Sequence, residues 1–376
     1  MSFVDEYFKE NPDQRPVAEE PPMASYGYVN NTRARNRSIR AISSSNSLAL
    51  LWLMIASFVL SFAVSFFMGF VAGMNGETDI NQELAMAVIN VLIIPIGYPL
   101  AFHMFGKSKG ERFTDYLGSL FSKPQKSVGW IIKWLCISLG ITYLWIYGSY
   151  FIVELINSGL SGLGSSLSIH TSNVDFGDSS FGNLVYLFLV AISAPIMEEI
   201  LFRGIVYKNS EPLGELFAVL LSGITFGMYH ANGVQSLYTI MLGVFACLLV
   251  LKTESIIPAM ILHFLLNGVS TFSKLTESYS DFDFDRFGTH DTLYIKEHFG
   301  ALLINILPVL FVCAVIIIGL VFFIIEIVKH VKNRSFHFDK GEYEISSVGK
   351  FLVYFSSPAT IITYLFIIIM FVINTF

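Results

Sequence analysis

Charge is scarce in this chain. Only 14% of its 376 residues are Asp, Glu, Lys or Arg, against 54% hydrophobic. A water-soluble fold of this length could not cover so much apolar surface with so few charges, so soluble globular classes are excluded and a polytopic membrane protein is expected. Cysteine is scarce too. Cys136, Cys247 and Cys313 lie in apolar segments without C-x-x-C spacing, which excludes a disulfide scaffold and leaves small buried thiols as the reading. There is no H-E-x-x-H pair, no internal repeat and no low-complexity tract. The first 45 residues are polar and contain proline, unlike a cleavable signal peptide. No nucleic-acid partner is expected.

What is present is apolar helix. A transmembrane helix needs about 20 mostly apolar residues. Nine stretches qualify or nearly do: 47–73, 84–105, 128–156, 183–207, 213–231, 234–252, 256–273, 300–329 and 351–375. The fold class is therefore all-α, a transmembrane bundle of about 8–9 spans. Its divisions are a flexible basic tail (1–46), the first three spans with an outer loop (47–182), a core (183–273), and an acidic outer loop with the last spans (274–376). Basic residues cluster before the first span (Arg33, Arg35, Arg37, Arg40), between the second and third (Lys107, Lys109, Arg112, Lys123, Lys126), and between the eighth and ninth (Lys329, Lys332, Arg334, Lys340). With a cytoplasmic N-terminus, nine spans put all three clusters inside. The loop 157–182, without Lys or Arg, and the acidic 274–298 then fall outside. The protein is expected in a cell membrane, with the lipid bilayer as its surroundings.

Strongly polar side chains interrupt the later helices: Glu198, Glu199 and Arg203, then His230, then His263 and Asn267. Ionisable residues inside a membrane must face a polar interior, so each is a functional candidate. Glu199 and Arg203 are four apart on one helix face, with the acid N-terminal, the favourable order for an ion pair. Glu198 is rotated by about 100° from Glu199 and is left free, as a general base requires. The alternative is one ion-pair network of both acids with Arg203. His263 and Asn267 also share a face and can donate hydrogen bonds to a developing oxyanion, or else join helices. The set permits metal-free water activation, the favoured reading, or a divalent metal such as zinc held by Glu198, His230 and His263. One difficulty stands: with these span limits, Glu198 lies near one end of its helix and His230 near the opposite end of the next.

The pattern E-E-x(3)-R (Glu198, Glu199, Arg203), then F-x(3)-H (Phe226, His230), then H-x(3)-N (His263, Asn267) resembles the CPBP family. That family comprises the CAAX-type prenyl endopeptidases and bacterial relatives called Abi or bacteriocin-processing proteins. The resemblance covers roughly residues 183–272. It implies an intramembrane endopeptidase, glutamate-dependent or a metalloprotease, with its site among helices. By motif position Glu198 would activate water with help from His230, His263 and Asn267 would hold the oxyanion, and Glu199 with Arg203 would brace the site. The short loops look bacterial, so the expected substrate is a membrane peptide or protein, as in bacteriocin maturation, immunity or signalling. The competing reading is a non-catalytic membrane scaffold that keeps the CPBP fold.

Overall fold

A computed structural model describes residues 32–75, 82–163, 168, 169, 185, 187–280, 282–289, 292–333 and 337–375. Among these, all regular structure is helical. The first helix, α1 (Thr32–Met74), starts well before the apolar run. Residues 32–46, expected within a flexible tail, are helical because a polar stripe there has partners. Asn46 donates to Ser210 Oγ (2.9 Å) and Tyr354 OH (3.1 Å) and accepts from Asn209 Nδ2 (2.8 Å). Ser47 Oγ donates to Thr360 Oγ1 at 2.9 Å. Buried polar groups satisfied in this way join helices where no hydrophobic drive exists. The rest of the tail (1–31), most of the outer loop 157–182 and Arg334 lie outside the described residues.

The second leg runs through α2 (Gln82–Leu92), a π-helical turn (Ile93–Gly97) and α3 (Tyr98–Lys109). Pro95 lies in that turn, and its missing N–H loosens the helical ladder there. Then follow α4 (Phe113–Leu120) and the long α5 (Val128–Gly162), capped by Ser127 Oγ accepting from Trp130 N–H. The fourth leg is one continuous helical run. A π-helical turn (Leu187–Ser193) leads into α6 (Ala194–Glu199), then a second π stretch (Ile200–Tyr207), Lys208–Ser210 and a 3₁₀ turn (Glu211–Leu213). It stops at Gly214, whose φ of +115° an L side chain rarely adopts. Beyond lie α7 (Glu215–Tyr229), α8 (Gly233–Thr253), α9 (Ile257–Tyr279) and α10 (Phe299–Asn333). The ninth stretch is broken into α11 (Ser347–Tyr354) and α12 (Pro358–Thr375).

Among the described residues, six helices are long and apolar enough to cross a membrane: α1, Val88–Lys109, α5, α8, α10 and α12. The protein is an integral membrane protein. The legs missing from that set are the run 187–213, the short α7, and α9 with its His and Asn. They are the three that carry the interrupting polar residues.

The segments around the basic clusters gather at one end of the bundle. There Gln125 N–H donates to Thr253 O (2.9 Å), Ile256 N–H to Leu120 O (3.1 Å) and Glu215 N–H to Asp339 O (3.0 Å). Arg40 Nε donates to Ser356 Oγ at 2.9 Å. At the other end the α7–α8 turn sits against Ile169 and Thr375, the latter at the close of α12. All three cysteines are free. Cys247 is buried as expected and Cys136 half-buried, but Cys313 is exposed, because its position on α10 faces outward rather than into the bundle.

Candidate active site

α6 presents the two acids to different groups, with the His263 ring between them. Glu199 is fully buried, and its Oε1 forms an ion pair with Arg203 Nη1, 3.0 Å away and four residues along. The same oxygen lies 2.8 Å from His263 Nδ1. An ionised Glu199 can only accept, so the proton is on Nδ1 and His263 Nε2 is turned the other way. Arg203 is also fully buried, and its guanidinium carbon lies over the Phe226 ring, 4.3 Å from the centroid. The spacing of Glu199 and Arg203 foretold their pairing; the link from Glu199 to His263 joins two helices and left no trace in the sequence.

Glu198 faces the other side. Its Oε2 stands 3.8 Å from His263 Nε2 and 4.0 Å from His230 Nε2. His230 Nδ1 lies 2.8 Å from Phe226 O, a carbonyl that can only accept, so the neutral ring turns its Nε2 lone pair toward Glu198. Phe226 packs edge-on to both imidazoles, with centroids 4.7 Å from His230 and 5.6 Å from His263. The F-x(3)-H spacing thus places the aromatic ring one turn below the histidine it supports. Asn267 Nδ2 donates to Val190 O at 3.0 Å, a carbonyl in the π turn ahead of Pro195, and its amide carries a second N–H.

The difficulty of helix ends is resolved by length. The fourth leg does not end at 207 but continues to Leu213, so Glu198 stands 15 residues above that bend. His230 follows the 15-residue α7 above the same bend. At about 1.5 Å per residue both rise about 22–24 Å and meet.

Glu198, His230, His263 and Asn267 all line one partly open cavity of about 490 Å³. The first spans contribute Asn90, Tyr98 and Tyr150, and α8 adds Gln235 and Tyr238. Isolated polar or phenolic side chains in early spans look like any bundle residue, and nothing in their spacing marked them. Among the described residues Glu198 is the cavity's single carboxylate, and no Lys or Arg lines it.

Residues 180–269 match the family model described as Type II CAAX prenyl endopeptidase Rce1-like. The match is consistent with the CPBP resemblance and spans the segment that holds all six site residues. Comparisons with curated proteins and with solved structures give no match. Within the described part of the Rce1-like segment lie both π-helical stretches that flank α6. Such wide turns recur at functional sites because they re-aim side chains.

Tetrahedral zinc with bonds of about 2.0–2.1 Å would bring its ligand atoms within about 3.4 Å of one another. The Glu198 and histidine atoms are wider apart, at 3.8 and 4.0 Å. Among the described residues no group of three or more His, Cys, Asp or Glu is placed to hold a metal ion. A water molecule, with hydrogen bonds of about 2.8 Å, fits between them.

Proposed function

We propose that the protein is an intramembrane endopeptidase that hydrolyses a peptide bond with a water activated by Glu198. The observation that carries this reading is the placement of one carboxylate oxygen 3.8 and 4.0 Å from two imidazole nitrogens in a cavity inside the bundle. A water in that gap donates one proton to Glu198 Oε2 and the other to His230 Nε2. Both groups are acceptors, so the oxygen lone pair is left to attack the peptide carbonyl. His263 is held by Glu199 through Nδ1, as a buried carboxylate orients the histidine of a catalytic triad. Its Nε2 faces the gap, and when it carries a proton that N–H donates to the oxyanion, together with the second N–H of Asn267. Collapse of the tetrahedral intermediate breaks the C–N bond, and the leaving amine takes the proton that Glu198 accepted. Glu199 and Arg203 hold the site together without touching the reacting atoms. The Rce1-like match supports intramembrane protease activity of the CAAX type, and the metal-free, glutamate-activated water is the proposal's own part. The substrate is a membrane-associated polypeptide, and bacteriocin maturation, immunity or signalling in a bacterial membrane are the settings in which such an enzyme would act.

Glu198→Gln keeps the shape of the side chain and cannot take a proton. Cleavage is expected to fall by at least about 10²-fold, the usual share of a positioned base, while the protein inserts and folds as before. Comparison of new peptide N-termini in membranes carrying the wild type and the variant reads this. Equal sets of cleavage products would refute the reading.

A further inference from the structure

α11 and α12 lie outside the Rce1-like segment, yet both are tied to α7, the helix that ends at His230. Tyr354 of α11 is fully buried, accepts from Asn46 Nδ2 and packs edge-on to Phe217 of α7, with centroids 6.0 Å apart. α12 carries three hydroxyls in its first two turns. Thr360 Oγ1 accepts from Ser47 Oγ at 2.9 Å, and Thr363 Oγ1 donates to the Ser47 carbonyl at 3.1 Å, so both hold α12 on α1. Tyr364 reaches α7 instead. Its OH lies 2.7 Å from Thr225 Oγ1, the two sharing one hydrogen bond, and the Phe355 ring braces the phenol at 4.8 Å.

Thr225 is only 1% exposed, and it precedes Phe226, whose carbonyl meets His230 Nδ1 and whose ring packs on both imidazoles. Toward α8, α7 presents glycine. A Cβ added at Gly227 would lie 2.6 Å from Ser236 O, and one at Gly223 3.3 Å from Ile240 O. A glycine face allows close approach but offers no side chain of its own to fix the rotation of the helix. Directional bonds do that. Ser222 Oγ donates to Phe202 O at 2.8 Å, and Thr225 pairs with Tyr364 three residues later. These two bonds hold α7 from the fourth leg and from α12, within the last turns before His230.

We infer that Tyr364 is a positioning residue for the site: through Thr225 it fixes the rotation of α7 and thereby the place of the His230 ring. The 4.0 Å between His230 Nε2 and Glu198 Oε2 then depends on a phenol 139 positions along the chain from its partner on α7. The effect on turnover rests on the peptidase reading above; the effect on His230 does not. A turn of α7 too small to unfold the bundle still moves the imidazole away from the gap, and a misplacement of about 1 Å at a reacting group can cost about 10²-fold in rate. α12 is in this way a working part of the site although it contributes nothing to the cavity wall.

The test separates position from stability. Full-length protein in liposomes carries Tyr364→Phe, Thr225→Val, the two together, or Thr360→Val, which removes a hydrogen bond of the same helix on its α1 side. Each is read by thermal melting, by kcat and KM on a peptide that the wild type cleaves, and by the ring-nitrogen NMR resonances of His230, assigned with His230→Gln. Tyr364→Phe and Thr225→Val are each expected to lower kcat about 10-fold with KM unchanged, and to shift the His230 resonances. Thr360→Val is expected to lower the melting temperature and to change neither. The double variant leaves no hydroxyl of the pair buried without a partner, so it regains stability, yet keeps the low kcat and the shifted resonances. Return of kcat and resonances to wild type together with stability overturns the inference, as does a His230 signal unmoved by Tyr364→Phe. A wild type that cleaves nothing removes the peptidase reading alone, and the His230 resonances still decide the role of Tyr364.

Discussion

Glu199 and Glu198 are neighbours with opposite obligations. Glu199 is enclosed with a guanidinium and an imidazole on one oxygen, and it has no solvent to fall back on. Removing its charge leaves Arg203 buried without a counter-ion, a change that typically costs 3–5 kcal/mol. Glu199→Gln is therefore expected to lower the unfolding temperature of the purified protein clearly, whereas Glu198→Gln leaves it almost unchanged. Equal melting temperatures for the two variants would contradict the division of roles. That division was half legible in the sequence. The four-residue spacing picks out Glu199 as the partner of Arg203, but spacing reports only one helix. His263 was expected beside Asn267 as a donor pair. Both line the same cavity, and each has a further contact on another leg: His263 Nδ1 meets Glu199, and Asn267 Nδ2 donates to the carbonyl of Val190.

At the scale of elements, two helices that bear on the site meet backbone to backbone. A Cβ added at Gly243 of α8 would lie 2.8 Å from Gly223 Cα on α7 and 3.4 Å from Arg203 Nη2. Small residues allow this approach, which brings α8 against the guanidinium and keeps water from it. Gly243→Ala is expected to cost about 1–3 kcal/mol by overpacking, and to reduce activity as well, because the displaced α7 carries His230. A thermal melt and a cleavage assay on the same preparation check both, and a variant with wild-type stability would show that the contact yields easily. Helix existence was readable from apolar runs, whereas helix ends were not. The run 183–207 loses its hydrophobic character near Lys208, yet the backbone stays helical through Asn209 and Ser210, since their side chains find Asn46 and the Ile42 carbonyl. A polar residue satisfied by a helix more than 150 positions away cannot be recognised from its own neighbourhood.

At the scale of the whole molecule, nine apolar stretches and the ordering of basic clusters were enough to describe the bundle and its two ends. The convergence of four residues from three legs was not, because it depends on lengths set by Gly214 and by the turn after His230. One of those lengths has a consequence for the surrounding lipid. α7 has only 15 residues, about 22 Å of rise against a hydrocarbon core of about 30 Å. Leu216, Leu220 and Ile224 on one of its faces are exposed. Acyl chains beside this face meet a wall too short for them, so the bilayer must pinch there and draw headgroups and water toward His230. Thickness of the host membrane then becomes a control on catalysis. Turnover is expected to be faster in liposomes of short-chain phosphatidylcholine than in long-chain ones at equal fluidity, and rates that ignore chain length would argue that the lipid does not deform around α7.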